Sequence, residues 1–285
     1  MQDTTELLRS LQEISYADYE VVVVDNCSDA DDAQALEERF GDYVQVVRND
    51  RNYGCGEGFN RGIRHVLAGS RPEFILIVNN DLVVAPDFLD ELVRAAESDR
   101  RVGIVGPKIY HYDHGGRRDV IWSAGGRIRW WALKVHDQLG EDDDDLPAYQ
   151  TEAEVDWISG CVMMFRSSLT DEIGLLNPWY FIGHEDVEYC LKAKKAGYKV
   201  VYVPTSRAWH KVGVSRKKVH ITFADPSSYY YLVRHTFPLP VYIYQVLLMP
   251  ALMSRWALLY LARHRDPHTL RRFLADFARM LWCRG

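Results

Sequence analysis

The sequence predicts an α/β fold in which helices cover both faces of a doubly wound, mostly parallel sheet. Helical spacing and β-branched runs alternate along residues 4–80. Polar residues follow directly after two apolar runs, at Asp25 and at Asn79, Asn80 and Asp81. Sheets of this class bind ligands beyond such strand ends. The chain of 285 residues with 47% hydrophobic content can also bury a large core.

The first elements follow from these patterns in order. A helix is predicted at residues 4–14, where leucines repeat at helical spacing. The β-branched run at 20–25 predicts a strand that is covered on both faces. The alternation continues with a helix at 31–40, a strand at 44–47, a glycine-rich turn and helix at 52–68, and a strand at 74–78.

The pattern becomes irregular after residue 107. Tryptophans and glycines are frequent there, and we expect the acidic run at 141–145 to be a solvated loop. Order resumes with an apolar stretch at 155–166, a helix at 185–196 and a strand at 199–203.

The C-terminal third differs from the rest in charge. Residues 191–285 contain 17 Lys and Arg against 3 Asp and Glu, whereas residues 1–190 contain 17 against 37. Residues 235–254 carry no formal charge and are long enough to cross a bilayer, although three prolines and Gln245 weaken that interpretation. The basic flanks favour helices lying in a membrane interface over a true span or an ordinary pair of core helices. Nucleic-acid binding is not expected, because apolar runs interrupt the basic residues and no reader motif is present.

The cysteines and the first residues predict a cytosolic protein. The five cysteines are scattered, with no C-x-x-C pair and no spacing typical of metal ligands, which favours a reducing compartment. The opening stretch is amphipathic and acidic, unlike an export signal.

Two polar segments in the first half are candidates for nucleotide binding. Asp25 and Asn26 end a predicted strand and could bind a base or ribose, although Asp and Asn also cap helices. Gly54, Gly56 and Gly58 open a helix, which allows a diphosphate to approach the backbone closely, but a plain glycine turn is the alternative. Their spacing matches neither the dinucleotide fingerprint nor the P-loop.

Further polar residues are candidates for metal binding and catalysis. Asp81 at a strand end suits Mg²⁺ or Mn²⁺ bound to a diphosphate, unless it belongs to a simple turn. Glu185 and Asp186 begin a helix, where they could complement its dipole or supply a general base. His210, just past a predicted strand, is either a packed histidine or a metal ligand.

Taken together, these segments resemble the family 2 glycosyltransferases with the GT-A fold, most closely their rhamnosyltransferase-like members. The resemblance runs from Thr4 to about Val214. It rests on the order and spacing of LLRSLQEISYADYEVVVVDNCSD, NYGCGEGFNRG, ILIVNNDLVV, WISGCVMMFR, LLNPWYFIGHEDVEYCLKAKKAGYKVVYVP and AWH.

The resemblance implies roles for individual residues. Asp25 would contact the nucleobase, with Asn52 and Gly54 lining the same pocket. The triplet Asn79, Asn80 and Asp81 would bind diphosphate and metal, with His210 completing the metal site. Asp186 would be the catalytic base, and Glu185 and Trp157 would lie by the acceptor.

The resemblance also implies an activity and a domain organisation. It implies inverting transfer of a sugar, with rhamnose as one candidate, from a UDP-, dTDP- or GDP-sugar with Mg²⁺ or Mn²⁺. Residues 1–220 would form the catalytic domain, with a nucleotide-sugar half at 1–106 and an acceptor half at 107–220, and 221–285 a basic, apolar helical segment. That segment favours a lipid-linked or cell-envelope glycan as acceptor and a place at the cytoplasmic face of the membrane.

Two departures from the family pattern qualify this expectation. The triplet reads Asn-Asn-Asp where many relatives have Asp-x-Asp, which predicts modest metal affinity. A strand of the type VVIVTYN precedes the first helix in relatives and is missing here, which would leave part of the pocket exposed. A misplaced start codon is the simplest explanation, and a truncated, non-catalytic nucleotide-sugar-binding or scaffold protein is the alternative. A sugar-phosphate nucleotidyltransferase is less favoured, because its glycine-rich, lysine-containing loop is absent.

Overall fold

The computed structural model describes residues 1–28, 30–132, 135–211 and 226–264. The α-helices are α1 Gln2–Gln12, α2 Ala30–Phe40, α3 Gly54–Gly69, α4 Phe88–Glu97, α5 Leu169–Glu172, α6 Glu185–Lys195, α7 Pro226–Thr236 and α8 Leu239–His264. The strands are β1 Val21–Asp25, β2 Val44–Arg48, β3 Phe74–Val78, β4 Leu82–Val84, β5 Val102–His111, β6 Ile121–Ser123, β7 Gly126–Ile128, β8 His136–Gln138, β9 Ala153–Val155, β10 Val162–Arg166 and β11 Lys199–His210. Short 3-10 helices lie at Gly41–Tyr43 and Pro147–Tyr149.

The strands of the described residues form one large mixed sheet and two small ones. The large sheet has seven strands in the order β3-β10-β5-β11-β4, with β6 beside β5 and β9 beside β11. β5 and β11 pair in parallel, and the other pairs of this sheet are antiparallel. The α/β prediction is confirmed. β6 follows β5 after a short connection that turns the chain back without a crossover helix, whereas β10 reaches its antiparallel partners β3 and β5 over long connections.

β1 and β2 form a separate parallel pair with the register Val21↔Val44 to Asp25↔Arg48. Their apolar side chains pack into the same core as the large sheet. The prediction that β1 is covered on both faces was wrong, because all five of its residues are partly exposed. Among the described residues β1 pairs with no strand except β2, β3 pairs with none except β10, and no strand precedes α1.

The core forms around α4, which packs against β5 and β11. Phe88, Leu92 and Ala95 are fully buried on one face of this helix. The opposite ends of α4 carry Asp90 in the first turn and Arg94 in the last turn, the charges that the helix dipole favours. This packing fixes the strands on which the polar residues of the site lie.

The acidic run at 141–145 lies at the surface, as the sequence predicted: its first four residues are exposed and Asp145 is half-buried. Asp145 accepts hydrogen bonds from the buried Lys108 Nζ at 2.8 Å and from the Tyr110 hydroxyl at 2.7 Å, and Asp144 pairs with Arg117 at 2.7 Å. Burial acts to raise the pKa of Asp145, but the hydrogen bonds from Lys108, Tyr110 and Gln150 outweigh it and lower that pKa. Asp145 therefore neutralises a lysine that the core would not otherwise tolerate.

The chain divides into two compact units. The first contains Met1–Arg127 and Gln138–Thr222, and the second contains Ile128–Asp137 and Phe223–Gly285. Helices α7 and α8 are the described helices of the second unit, and none of the helices in the described residues is long and apolar enough to be a membrane span. Residues 265–285, which supply several of the basic flanks, lie outside the described residues.

The second unit is held together by polar contacts inside an apolar core. Val135, Tyr229 and Val233 are buried together. The Tyr229 hydroxyl donates to Gln245 Oε1 at 2.9 Å, and Gln245 Nε2 donates to the carbonyl oxygens of Trp130 at 2.7 Å and Ala132 at 2.9 Å. Gln245 thus satisfies the backbone of the 128–132 loop, which explains a polar residue within an uncharged segment.

Candidate active site

Asn26 joins the end of β1 to the turn that precedes α3. Its Nδ2 donates to Asn52 Oδ1 and to the Gly54 carbonyl, both at 3.0 Å. Its Oδ1 accepts hydrogen bonds from Asn49 Nδ2 and from the Tyr53 amide, both at 3.1 Å. The structure therefore brings together three residues that the sequence assigned to nucleotide binding, with Asn26 holding the turn in shape.

Asp25 is the last residue of β1 and is half-buried. Its Oδ1 accepts a hydrogen bond from the Ser28 amide at 2.9 Å, and its carbonyl accepts one from the Asn49 amide at 2.9 Å. The first bond is a local capping contact of the kind that short acidic side chains make after strands. Asp25 therefore lies beside the Asn26 turn, at the strand end where the sequence predicted it.

The glycines at the start of α3 make room for the protein's own loop. Gly54 has a φ of +80°, and a Cβ there would lie 2.3 Å from the Phe181 carbonyl oxygen. The Cys55 amide donates to that same oxygen at 2.7 Å, and a Cβ on Gly56 would lie 3.7 Å from Glu185 Cβ. The glycine signal was interpreted as close approach of a diphosphate. In the described residues the close approach is made by the segment just before α6.

The triplet between β3 and β4 presents its three side chains differently. The Asn79 amide donates to the Cys161 carbonyl at 2.8 Å, and the exposed Asn80 donates from Nδ2 to Thr4 Oγ1 at 2.9 Å. Asp81 is only 2% exposed, and its Oδ1 lies 3.2 Å from His210 Nε2. The sequence predicted this pairing from two positions 129 residues apart.

His210 is the last residue of β11 rather than a residue just past a strand. It pairs with Leu82 of β4, directly after Asp81, and its ring meets that of Trp122 edge-on at 4.6 Å between centroids. Its buried Nδ1 has no hydrogen-bond partner among the described residues. A carboxylate oxygen and an imidazole nitrogen that converge at this separation fit a divalent cation, with Mn²⁺ accepting the nitrogen more readily than Mg²⁺.

Glu185 and Asp186 begin α6, after His184, whose φ is +77°. Asp186 Oδ2 accepts a hydrogen bond from the Gly160 amide at 2.7 Å, and its Oδ1 accepts one from the Val187 amide at 2.8 Å. Glu185 is buried, and its Oε2 has no hydrogen-bond partner among the described residues. The two carboxyl groups are therefore adjacent in sequence but held very differently.

Burial, and then the charge of Asp186, raise the pKa of Glu185 to about 8. Burial also raises the pKa of Asp186, against the lowering effect of the backbone hydrogen bonds from Gly160 and Val187. Asp186 accepts backbone hydrogen bonds on both of its carboxylate oxygens, whereas Glu185 Oε2 has no partner among the described residues, so a single negative charge on the pair is better stabilised on Asp186.

The loop at 159–161 connects the triplet to the acidic pair. Its Cys161 carbonyl accepts from Asn79, and its Gly160 amide donates to Asp186. Burial, and then the charges of Glu185, Asp186 and Asp81, raise the pKa of the Cys55 thiol to about 12, and burial also raises the pKa of the Cys161 thiol. The 159–161 loop thus contacts both the triplet and Asp186, which brings the two groups to one site.

Trp157 is buried, and its ring lies where a side chain on Gly126 would be. Backbone hydrogen bonds also join these two residues, from the Gly126 amide to the Trp157 carbonyl at 2.9 Å and in the reverse direction at 3.4 Å. The sequence placed Trp157 by the acceptor. Its burial leaves it a packing contact beneath the strand rather than an exposed surface.

Trp179 and Phe181 are exposed aromatic residues that the sequence interpretation missed. Both lie in the segment between α5 and α6, within six residues of Glu185, and about half of each side chain is exposed. Tyr180 between them is fully buried and anchors the segment. The signal was the aromatic run NPWYFIG directly before the acidic pair, because exposed aromatics beside a polar site are typical of binding surfaces.

Comparisons with known proteins identify sequence relatives of this chain. The N-acetylglucosaminyl-diphospho-decaprenol L-rhamnosyltransferase of Mycobacterium tuberculosis is 27% identical over 230 residues, covering 73% of this chain and 70% of that protein. An uncharacterized Sinorhizobium fredii protein, y4gI, is 30% identical over 70% of this chain, which spans only 22% of it.

Solved glycosyltransferase structures share the fold. The mannosyltransferase PcManGT of Pyrobaculum calidifontis, in complex with GDP-Man and Mn²⁺, matches with a TM-score of 0.54 at 18% identity, over 100% of this chain and 84% of that one. GalNAc-T7 with UDP, GalNAc and Mn²⁺ matches with a TM-score of 0.58 at 19% identity, over 72% of this chain and 40% of that one. The sequence model described as glycosyltransferase like family 2 matches residues 4–226. The chain therefore belongs to glycosyltransferase family 2.

Proposed function

We propose that this chain is an inverting glycosyltransferase that moves a sugar, with rhamnose as the first candidate, from a nucleoside diphosphate to a glycan hydroxyl. One observation carries the proposal: the pair Asp81 and His210 and the pair Glu185 and Asp186 lie on either side of the 159–161 loop. The Mycobacterium relative, named as a rhamnosyltransferase acting on a lipid-linked acceptor, supports the choice of sugar and acceptor.

Asp186 is the base in this mechanism. Two backbone amides fix its carboxylate and keep it ionised, whereas Glu185 holds its proton. Asp186 takes the proton of the acceptor hydroxyl as that oxygen bonds to the anomeric carbon. The bond from that carbon to the diphosphate oxygen breaks on the opposite face, so that configuration inverts. Glu185 lies beside the acceptor and keeps the local charge low.

The donor is held at the ends of β1 and β3. Asp25 recognises the nucleoside, and the turn of Asn26, Asn52 and Gly54 shapes its pocket. Asn79 and Asn80 lie along the diphosphate. Asp81 and His210 would hold Mg²⁺ or Mn²⁺, which when bound neutralises charge on the leaving diphosphate. UDP-, dTDP- and GDP-sugars are all candidates for the donor.

In this proposal residues 1–106 form the donor half and 107–220 the acceptor half, with Trp179 and Phe181 offering aromatic faces to the acceptor sugar.

Residues 221–285 bring the enzyme to its acceptor. The relevant surface, the apolar stripe, consists of Leu239, Ile243 and Leu247, exposed one turn apart along α8. A glycan carried on a lipid at the cytoplasmic face of a membrane is the acceptor that such a surface suits.

The experiment is nucleoside diphosphate release from UDP-, dTDP- and GDP-sugars, with and without Mn²⁺, in the presence of a lipid-linked glycan acceptor. We expect Asp186→Asn to lower turnover at least about 100-fold and to leave donor affinity within about threefold. The matched control is Asp171→Asn, an exposed acid in the first turn of α5, which should behave as wild type. Donor binding without turnover in the wild type would instead favour a non-catalytic nucleotide-sugar-binding protein, and full turnover in Asp186→Asn would exclude Asp186 as the base.

A further inference from the structure

A group of three potential metal ligands lies outside the residues assigned above. His111 ends β5, His114 lies in the hairpin that follows, and Asp142 lies in the acidic run. Their ligand atoms all lie within 4.8 Å of one another. We propose that His111, His114 and Asp142 form a second metal site, selective for transition metals of the zinc class.

The geometry of the three side chains supports a shared ion. His111 Nε2 lies 2.8 Å from Asp142 Oδ1, and the rings of His111 and His114 are 4.8 Å apart between centroids. Nitrogen and oxygen ligands on a tetrahedral zinc, each about 2.0 to 2.2 Å from the metal, are roughly 3.3 Å apart. A zinc ion can therefore replace the proton shared by His111 and Asp142 with small movements, chiefly of the exposed side chains of His114 and Asp142.

The backbone holds these ligands in place before any ion binds. His114 and Arg117 exchange backbone hydrogen bonds across a tight hairpin at 2.8 and 3.3 Å, and Asp113 Oδ1 accepts from the Gly116 amide at 2.7 Å. The Asp142 amide donates to the carbonyl of Ile121 at 3.0 Å. Preorganised ligands lose less conformational freedom on binding, which favours a genuine site over a chance cluster.

The charge around the site also favours a cation. Arg117, on the same hairpin, pairs with Asp119 at 3.0 Å and Asp144 at 2.7 Å, so that its charge is neutralised locally. Asp142 is the charged member of the triad, and its carboxylate is well exposed. Three protein ligands at the surface leave a fourth position open to water, which is the arrangement of an accessible zinc site.

The ligand chemistry distinguishes this triad from the pair Asp81 and His210. Two imidazoles and one carboxylate select zinc, nickel, cobalt or copper, whereas a diphosphate metal site needs hard oxygen ligands. The two sites are neighbours, because His111 and His210 pair in register on adjacent strands and the Tyr112 amide donates to the His210 carbonyl at 2.9 Å. Zinc at the triad would clamp the hairpin and the acidic run next to His210.

The test is direct zinc binding by the full chain, stripped of metal with a chelator, using a chromophoric competitor and no donor sugar. We expect one zinc per chain at the triad, at least about tenfold weaker binding in His114→Ala and in Asp142→Asn, and no displacement by excess Mg²⁺. His65→Ala removes an exposed histidine outside the triad and is the matched control. Cobalt substitution should give a visible absorption band in the wild type that His114→Ala loses.

This experiment measures zinc binding in the absence of a donor sugar, so its result is independent of the transferase assay. Zinc should also raise the melting temperature of the wild type and of His65→Ala, but not that of His114→Ala. Equal zinc affinity in His114→Ala and wild type, ready displacement by Mg²⁺, or no zinc binding at all would each overturn the proposal.

Discussion

At the scale of single residues, the acidic pair shows how neighbours in sequence acquire opposite states. Asp186 faces the amides of Gly160 and Val187, which stabilise its anion. Burial, and then the neighbouring anion, disfavour the loss of the proton of Glu185 and raise its pKa. Two carboxyl groups with separated pKa values are what acid and base assignments require. The sequence located this pair, but only the fold shows which member carries the charge.

This difference predicts a pH dependence of stability. The pKa of Glu185 is about 8 in the folded protein and about 4.5 in the unfolded chain, so the folded state binds the extra proton between these values. The free energy of unfolding should therefore fall as pH rises from 5 to 9, with the full cost present only above pH 8. In Glu185→Gln this fall should be smaller by on the order of 2 kcal/mol, measured by urea unfolding across that range.

Glu13→Gln provides the control, because Glu13 is an exposed acid after α1. It should reproduce the wild-type slope. A Glu185→Gln slope identical to that of wild type would mean that Glu185 is ionised in the folded protein.

The residue patterns predicted where strands end, but not which side chains from distant segments pack around the site. Asp25 and Asp81 were placed correctly, because a strand end follows from local hydrophobicity. The burial of Trp157 against Gly126 and the pairing of Lys108 with Asp145 depend on contacts between segments far apart in sequence. No local pattern reports such contacts, so the sequence did not reveal that Trp157 is buried or that Asp145 neutralises a lysine of the core.

At the scale of elements, the junction between α3 and the segment before α6 determines the shape of the site. Gly54 adopts a left-handed conformation and touches the Phe181 carbonyl, and the Cys55 amide bonds to the same oxygen. The glycine-rich signal of the sequence was therefore correct in position. A contact between two elements accounts for Gly54, and the approach of a diphosphate to this turn stays a prediction.

Gly54→Ala should destabilise the protein and disturb the acidic pair. The new Cβ would be strained at φ +80° and would lie 2.3 Å from a backbone oxygen that cannot rotate away. We expect the free energy of unfolding to fall by about 2 to 4 kcal/mol and turnover to fall with it. Chemical denaturation of the purified variant measures the first effect.

Gly69→Ala is the matched control within the same helix. It lies at the other end of α3, where an added Cβ meets nothing within 4 Å and φ is not positive. This variant should be as stable as wild type or more stable by up to about 1 kcal/mol. If both variants lost stability equally, the contact with Phe181 would not be the cause.

The elements that the sequence resolved least well are β9 and β10. An apolar stretch at 155–166 predicted continuous order, yet the chain leaves β9 at Val155 and enters β10 at Val162. The loop between them holds Gly160 against Asp186. Hydrophobicity alone does not reveal this break, because Asp186, whose contact with Gly160 stabilises the loop, comes 26 residues later in the chain.

At the scale of the whole molecule, the apolar stripe lies in the part of the sequence that is rich in basic residues, 191–285. The stripe of Leu239, Ile243 and Leu247 lies on the exposed side of α8, and Trp130 and Trp131 are also exposed in the same unit. Tyr244 connects these features, since its hydroxyl donates to the Trp131 carbonyl at 2.9 Å. Exposed tryptophans and leucines with basic neighbours are typical of proteins that bind anionic lipid surfaces.

Replacing all three residues of the stripe by serine should weaken binding to vesicles of phosphatidylglycerol and phosphatidylcholine at least about tenfold, measured by sedimentation. The helix should persist, because Gln245 and Tyr229 hold its buried side. High salt should weaken wild-type binding as well, since anionic lipid attracts the basic flanks.

Leu146→Ser removes an exposed leucine from the first unit and should leave vesicle binding unchanged. Undiminished binding of the triple serine variant would assign the membrane contact to another surface.

The separation of β1 and β2 from the seven-stranded sheet has a consequence for motion. Among the described residues no strand of one sheet pairs with a strand of the other, their apolar side chains share one core, and the valines of β1 are incompletely buried. Amide protons of β1 and β2 should therefore exchange with solvent deuterium through smaller openings than those of β5 and β10, as a cooperative unit of its own. A donor that touches both Asp25 and Asp81 would bridge this seam. Its binding should slow exchange in β1 and β2 most, so that the substrate itself supplies part of the rigidity that the sheet lacks.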